Sequence, residues 1–178
     1  MGTLNVLELV RIHKFVRGAL FITSDKCYDI NSENINYREN DKLGGVDPYS
    51  ASKAACEIII QSHIKSFFSK KDSAYVASAR AGNVIGGGDW SKNRLVPDCI
   101  RSINENRPII LRNPNSVRPW QHVLDPLNGY LMLAERLLSN KIDFQGAWNF
   151  GPKEKSEYSV LDVVQQIIIQ IGKGSVEI

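Results

Sequence analysis

The stretch ALFITSDKCY, residues 19–28, decides the fold, because an apolar run ends directly in a group of polar side chains. The run ALFITS, residues 19–24, has the length and composition of a buried strand. The stretch DPYSASK, residues 47–53, follows after a polar loop and opens with an Asp-Pro pair, which favours the cap and first turn of a helix. We expect this helix to run to about Phe68. A strand followed by a long helix indicates part of a βαβ unit.

The rest of the chain repeats this alternation. Apolar spacing predicts a helix over residues 3–16 after a Thr3 cap, and further elements over residues 74–85, 124–138, 147–151 and 160–171. A capping box formed by Ser159 and Asp162 is expected to open the last helix, which stops at Gly172. Strands that alternate with helices predict an α/β fold, in which a parallel sheet is covered on both faces.

An irregular insertion interrupts the alternation between residues 86 and 123. It is rich in Gly, Asn, Arg and Pro, and we expect a short helix near residues 97–106. The stretches PIILR (residues 108–112) and VRPWQHV (residues 117–123) flank an NPNS turn and predict a pair of strands. Open α/β sheets usually build their ligand sites from irregular segments at the carboxyl ends of strands.

Composition excludes several classes of function. The 178 residues carry a net charge of +3 with both signs interspersed, which argues against nucleic acid or an anionic membrane as partner. Three widely spaced cysteines and the absence of any long apolar run predict reduced thiols in a cytoplasmic protein without a membrane span. At 43% hydrophobic and 23% charged residues, the chain is expected to form an ordinary globular core.

Two groups of side chains could carry chemistry. Tyr49 and Lys53 are four residues apart, so they share one face of the predicted helix, where the ammonium and the helix dipole favour a phenolate base. Taken alone, this spacing more often marks an exposed helix pair. The stretch TSDKCY, residues 23–28, places hydroxyls, a carboxylate, an amine and a thiol where a strand ends. The glycines at 86–88 lack the context of a dinucleotide or phosphate loop and predict only a turn.

Together these motifs resemble the extended short-chain dehydrogenase/reductase superfamily and, within it, the CDP-glucose 4,6-dehydratase family. The resemblance rests on FITSDKCYDI, DPYSASKA, SARAGNVIGGGDW, RLVPD, LRNP, VRPWQHVLDPL and AWNFGP, which occur in this order through nearly the whole chain. It implies the second half of a Rossmann-like doubly wound parallel sheet with a small irregular substrate-binding insertion. Residues 1–88 would form a partial NAD-binding domain, and residues 89–178 a nucleotide-sugar-binding region whose strand 147–151 returns to the main sheet.

The resemblance also implies roles for residues of the site. Tyr49 would be the base, while Lys53 would favour its phenolate and hold the nicotinamide ribose of NAD. Ser24 would hydrogen-bond the sugar 4-hydroxyl, and Asp25 would protonate the leaving 6-hydroxyl. Lys26 would either remove the C5 proton as a neutral amine or stabilise the enolate as a cation, and both readings stay open. Thr23 is a further expected cofactor contact.

The implied reaction converts CDP-glucose to CDP-4-dehydro-6-deoxyglucose and water, as in deoxysugar and lipopolysaccharide biosynthesis. Asn83 and Arg118 would bind the diphosphate, and the nucleotide pocket would be bordered by Arg94, Leu95 and Val96. No metal is expected. A homo-oligomer, dimer or tetramer, is the expected assembly of the full-length enzyme.

The glycine-rich half of the superfamily pattern does not occur in residues 1–178. We therefore expect a fragment of an active enzyme, which by itself is inactive and binds NAD weakly or not at all. Two alternatives are another nucleotide-sugar epimerase or dehydratase of the superfamily and a non-catalytic binding fragment.

Overall fold

The computed structural model describes residues 1–29, 36–70, 73–139, 142–152 and 158–178. These residues form two compact units. The first comprises Met1–Gly82 and Asp125–Phe150, and the second comprises Asn83–Leu124 and Gly151–Ile178. The predicted division at residue 88 differs from these units, because residues 125–150 lie in the first one.

The helices are α1 (Gly2–Ile12), α2 (Pro48–Phe67), α3 (Leu95–Asn104), α4 (Leu124–Leu138) and α5 (Val160–Ile171). The strands are β1 (Gly18–Ile22), β2 (Tyr75–Ala81), β3 (Val84–Ile85), β4 (Ile109–Ile110), β5 (Val117–Arg118), β6 (Gln121–His122), β7 (Gly146–Phe150), β8 (Tyr158–Ser159) and β9 (Val176–Glu177). Short 3-10 turns span Asp25–Cys27 and Ile142–Phe144. None of the helices described is long and apolar enough to cross a bilayer.

The first unit is built on a parallel sheet in the order β1-β2-β7. Successive residues of β2 point to opposite faces of the sheet. Val76 packs in one cluster with Leu7 and Val10 of α1 and Ile60 of α2. Its neighbour Ala77 packs on Leu133 and Leu137 of α4. Helices therefore cover both faces of a parallel sheet, which confirms the predicted doubly wound α/β fold.

The second unit has its own core, in which α3 and α5 pack together around Cys99, Ile103, Ile109, Leu111 and Val164. The predicted strand pair around the NPNS turn is wrong. Strand β4 pairs in parallel with β9, and β5 pairs antiparallel with β8. Ile109 and Leu111 are buried in the cluster formed with α3 and α5. This burial places β4 beside β9 and not beside β5, the next strand in sequence.

Local sequence chemistry explains where the helices begin and end. Asp47 caps α2 by accepting hydrogen bonds from the Tyr49 and Ser50 amides, with Pro48 in the first turn. The predicted capping box of Ser159 opens α5, which ends at Gly172 with φ of 77°. The Thr3 cap is wrong, because α1 starts at Gly2 and the Thr3 hydroxyl donates to Cys56 Sγ at 3.2 Å.

Candidate functional site

The turn after β1 has an ordered polar structure. Ser24 is buried, its hydroxyl donates to Asp25 Oδ1 at 3.0 Å, and it accepts from the Lys26 amide at 3.2 Å. Ser24 therefore acts as the cap of the short 3-10 turn Asp25–Cys27. These bonds fix the backbone that carries Asp25 and Lys26 at the carboxyl end of a parallel strand, where α/β sheets place ligand sites.

The amino-terminal end of α2 presents Tyr49 and Lys53 together. Lys53 Nζ lies 5.6 Å from the centroid of the Tyr49 ring, and the tyrosine side chain is half-exposed. The loop before the helix packs closely, since a Cβ at Gly45 would come within 2.5 Å of Ala51 N. The phenol and the ammonium therefore lie side by side at an anchored helix end.

The turn and the helix end belong to one region of the first unit. Cys27 and Tyr28, which end the turn, are buried against Ala54 of α2. Hydrogen bonds from Ser50 hold the pKa of Asp47 below its usual value, and the charge of Lys26 lowers it further. The structure thus brings Ser24, Asp25 and Lys26 to the same end of α2 as Tyr49 and Lys53.

A buried polar cluster adjoins this region, because Thr23 directly precedes Ser24 and Glu57 lies on α2. The cluster is formed by Thr23, Glu57, Ser78 and Arg80. Arg80 NH2 donates to Glu57 Oε2 at 2.6 Å, and both side chains are fully buried. Ser78 Oγ donates to the same oxygen at 2.8 Å, and Thr23 Oγ1 donates to the other carboxylate oxygen. Burial acts to lower the pKa of Arg80, but the hydrogen bond and charge of Glu57 outweigh it and raise that pKa.

The cluster continues to the turn and to β7 through Tyr28. Arg80 NH1 donates to the Tyr28 hydroxyl at 2.8 Å, which donates to Asn149 Oδ1 at 2.7 Å. Arg80 NH1 also donates to the Glu39 carbonyl at 3.0 Å, and Glu39 Oε1 accepts from the Asn149 amide at 2.8 Å. Burial raises the pKa of Tyr28, although its hydrogen bonds to Arg80 and Asn149 act to lower it. The raised pKa keeps the phenol protonated, so that it can donate to Asn149.

Thr23 was predicted to contact the cofactor, and its hydroxyl is engaged elsewhere. Its only hydrogen is directed to Glu57, with the Ala79 carbonyl a more distant acceptor at 3.3 Å. A ligand could therefore only donate to this oxygen. The cofactor role of Thr23 stays a prediction.

The sequence motifs did not predict this cluster, although two of its residues carry a signal. Glu57 stands four residues after Lys53 in a helix whose other buried positions include Ala54 and Ile60. Arg80 interrupts a buried strand of small and apolar residues. A carboxylate and a guanidinium at core positions of two neighbouring elements predict a buried ion pair, because charges are rarely buried without a partner.

The predicted nucleotide-binding residues lie in the second unit. The Asn83 carbonyl accepts from the Gln121 amide at 3.0 Å. Arg94 is exposed at the start of α3, where Leu95 and Val96 are partly buried, and Arg118 is exposed on β5. The two guanidinium groups are open to an anion, but the binding roles of all five residues stay predictions.

The two buried cysteines are not activated for reaction. Cys27, Cys56 and Cys99 are all free thiols. Burial raises the pKa of Cys27 to about 12 and that of Cys99 to about 11, so these two stay protonated at neutral pH and are poor nucleophiles. No group of metal-ligating side chains occurs among the residues described.

Comparison with known proteins places this geometry in a family. Residues 1–151 match the NAD dependent epimerase/dehydratase family. The chain is 45% identical over 176 residues to CDP-glucose 4,6-dehydratase of Salmonella typhimurium, an alignment that covers 97% of this chain and 49% of that protein. The chain thus spans about half the length of this relative.

Solved structures resemble the fold at similar coverage. A dTDP-glucose 4,6-dehydratase of Bacillus anthracis in complex with NAD superposes with a TM-score of 0.79 at 25% identity, covering 99% of this chain and 53% of that chain. A UDP-glucuronic acid 4-epimerase of Bacillus cereus, in complex with UDP-glucuronic acid and NAD, gives a TM-score of 0.79 at 20% identity, covering 98% and 51%. The second likeness concerns the fold alone.

Proposed function

Because the chain belongs to the NAD dependent epimerase/dehydratase family, we propose that it forms the catalytic part of a nucleotide-sugar 4,6-dehydratase that acts on CDP-glucose. One observation carries the proposal. The half-exposed Tyr49–Lys53 pair lies at the same end of α2 as the Ser24–Asp25–Lys26 turn, so a base, a hydroxyl, a carboxylate and an amine are available to one hexose. The 45% identity to the Salmonella enzyme supports CDP-glucose as the substrate.

The donor set of this region fits the nicotinamide ribose of NAD. A phenol and an ammonium side by side on a half-exposed helix end can bind a pair of ribose hydroxyls. Tyr49 and Lys53 would hold this part of the cofactor, with Thr23 as an acceptor. When bound, NAD supplies reversible hydride acceptance, which permits oxidation at C4 and reduction at C6 of the sugar.

The chain's own residues supply the proton transfers. Tyr49 takes the proton of the sugar 4-hydroxyl, and the Lys53 ammonium stabilises the resulting phenolate. Ser24 hydrogen-bonds the same hydroxyl and orients it. A ketone at C4 acidifies the C5 hydrogen, so water can be eliminated across C5 and C6. Asp25 protonates the departing 6-hydroxyl. Lys26 acts at C5 either as a neutral base that takes the C5 proton, or as a cation that stabilises the enolate while that proton passes to solvent.

The second unit supplies the nucleotide contacts in this proposal. Arg118 is exposed on β5 and can grip a phosphate with two parallel hydrogen bonds. Asn83 binds the diphosphate, and the nucleoside is bordered by Arg94, Leu95 and Val96. We propose residues 1–88 as part of the cofactor domain and residues 89–178 as the nucleotide-sugar region. We also propose a cytoplasmic homo-oligomer that serves deoxysugar and lipopolysaccharide synthesis.

An epimerase of the same family is the second candidate. The structural likeness extends to a UDP-glucuronic acid 4-epimerase, so the fold favours neither activity. The turn residues favour the dehydratase, because elimination needs an acid for the departing hydroxyl and a group acting at C5. Asp25 and Lys26 provide such groups next to Ser24. An epimerase needs neither of them.

Mass spectrometry of the reaction products tests the proposal. The complete protein that carries this chain is incubated with CDP-glucose and, in parallel, with dTDP-glucose and UDP-glucose. The proposal predicts loss of 18 Da, one water, from CDP-glucose at a rate well above the other two. Loss of water from another nucleotide sugar would retain the dehydratase but refute CDP specificity. Conversion without loss of mass would identify the epimerase, and no conversion at all would favour a non-catalytic binding protein.

A further inference from the structure

The buried polar cluster connects the two elements that carry the proposed site. Its carboxylate, Glu57, lies on α2 one turn after Lys53 and two turns after Tyr49, toward the same side of the helix. Thr23, which donates to that carboxylate, directly precedes Ser24. The link between Thr23 and Glu57 therefore joins the strand end that carries the turn to the helix that carries the phenol and the ammonium.

The anchoring of Glu57 makes this link stiff. Arg80 and Ser78 of β2 hold one carboxylate oxygen, while the other accepts from Thr23. Hydrogen bonds to a charged acceptor are stronger than those between neutral groups, and burial excludes competing water. Thr23 is also fixed to β2, because its amide donates to the Ala79 carbonyl at 2.8 Å.

Stability alone does not account for such a cluster. A buried ion pair loses so much hydration that apolar residues of similar volume often replace it without loss of stability. Directional hydrogen bonds specify the rotation and axial position of a helix more narrowly than apolar contacts do. Of the donors to Glu57, Arg80 and Ser78 come from β2, and Thr23 is the one that joins α2 to the strand end.

We propose that Glu57, held by Arg80, is a positioning residue that acts through Thr23 to align the Tyr49–Lys53 pair with the Ser24–Asp25–Lys26 turn. This inference rests on the proposed function, since the alignment serves the transfer of protons to and from one hexose. The side chains of Glu57 and Arg80 are fully buried, so they are not exposed to a substrate. They act by holding the groups that contact it, and a misplacement of about 1 Å can lower turnover by as much as 100-fold.

A matched pair of variants separates positioning from stability. Thr23→Val removes the donor that joins the strand end to α2 and keeps the shape of the side chain. Ser78→Ala removes a donor to the same carboxylate but leaves the strand end joined to the helix. Thr23→Ser keeps the hydroxyl and serves as the conservative rescue. Glu57→Asp, which keeps the charge for Arg80 and shortens the reach, tests the same link if Thr23→Val does not fold.

The first readout is turnover by the complete protein. We expect Thr23→Val and Glu57→Asp to lower kcat roughly tenfold or more with KM within about twofold, because alignment matters most in the transition state. Ser78→Ala should stay within about threefold of wild type, and Thr23→Ser should recover most of the kcat that Thr23→Val loses. Equal kcat losses in Thr23→Val and Ser78→Ala would overturn the proposal. Unchanged kcat with weakened NAD binding in Thr23→Val would also overturn it, because Thr23 would then act as a cofactor contact alone.

The second readout does not depend on activity, so it distinguishes a failure of the positioning role from a failure of the proposed function. The Cys27 and Lys26 amides donate within the turn, to the carbonyl and hydroxyl of Ser24. Amide hydrogen exchange at these two positions should be at least about fivefold faster in Thr23→Val than in Ser78→Ala, since only the first loosens the turn. Equal exchange would refute positioning even if wild type dehydrates CDP-glucose. Faster exchange in a protein inactive on every nucleotide sugar would support positioning and refute the proposed function.

Discussion

The amino-terminal turns and the middle of helix α2 differ in how their polar side chains are surrounded. At the amino-terminal end, which we call the outer end, Tyr49 and Lys53 lie side by side and the Tyr49 side chain is half-exposed. In the middle of the helix, Glu57 is fully buried and its carboxylate accepts hydrogen bonds from Arg80, Ser78 and Thr23. The difference is the one expected if charge in the core fixes the helix while its exposed end is left for a ligand, as we propose.

The strongest test of the outer end is Tyr49→Phe. Removing the base is expected to lower kcat for CDP-glucose by roughly 100- to 10,000-fold, in the range typical of general-base catalysis. The thermal midpoint should change little, because the side chain is half-exposed. Steady-state kinetics and a thermal melt of the same preparation check both parts, with Tyr158→Phe as a control at another exposed tyrosine. Full turnover by Tyr49→Phe would show that Tyr49 is not the base.

Substitutions at Glu57, in the middle of α2, should have stability as their main effect. Glu57→Gln leaves the Arg80 cation buried without a counter-charge, and we expect the free energy of unfolding to fall by about 3 kcal/mol. The double variant Glu57→Met/Arg80→Met should recover most of that loss, since it buries no charge. Urea unfolding of both variants measures this. A double variant that is as unstable as the single one would show that the ion pair itself stabilises the fold.

The double variant also tests whether the Glu57–Arg80 pair positions Tyr49 and Lys53 or only stabilises the fold. If positioning is the role of the pair, the double variant folds but its kcat stays at least about tenfold below wild type. Full turnover in a stable double variant would reduce the pair to a structural contact.

The cap at the outer end of α2 should show the smallest effect. Hydrogen bonds from Ser50 lower the pKa of Asp47, so the folded state favours the ionised cap. Its contribution is therefore present above the unfolded pKa, ~3.9, and is lost as pH falls through the lower folded value. We expect Asp47→Ala to lower the thermal midpoint at pH 7 by about 2–4 °C and to lose less stability than wild type on acidification. Parallel thermal melts at pH 7 and pH 3 check this, and an equal acid loss in both proteins would contradict it.

The sequence predicts those parts of the molecule that depend on neighbours along the chain. The start of α2 follows from Asp47 and Pro48, and the start of α5 follows from the Ser159–Asp162 box. Alternating apolar segments were enough to predict a parallel sheet covered by helices on both faces. Residues 23–26, Tyr49 and Lys53 could likewise be selected as candidates, because each group lies within one short motif, and their roles stay predictions.

What the sequence did not predict depends on distant partners. Glu57 and Arg80 belong to different elements, and although each charge at a core position implies a buried partner, neither motif identifies which residue that partner is. The prediction of strand pairing in the second unit was wrong for the same reason. The NPNS turn suggested a hairpin, but the burial of Ile109 beside α3 and α5 selects β9 as the partner of β4. The partner of a strand is decided by packing energy, which depends on residues throughout the fold.

We propose that the side chains at the outer end of α2 and in the Ser24–Asp25–Lys26 turn remove a proton from C5 of a hexose and eliminate water. Reaction of the complete protein with CDP-glucose in D2O, followed by product mass, tests this step. We expect a product that has lost one water and gained one solvent deuterium at C5, because the hydrogen removed there is replaced from solvent. A product that has lost water without taking up deuterium, or one of unchanged mass, would contradict it.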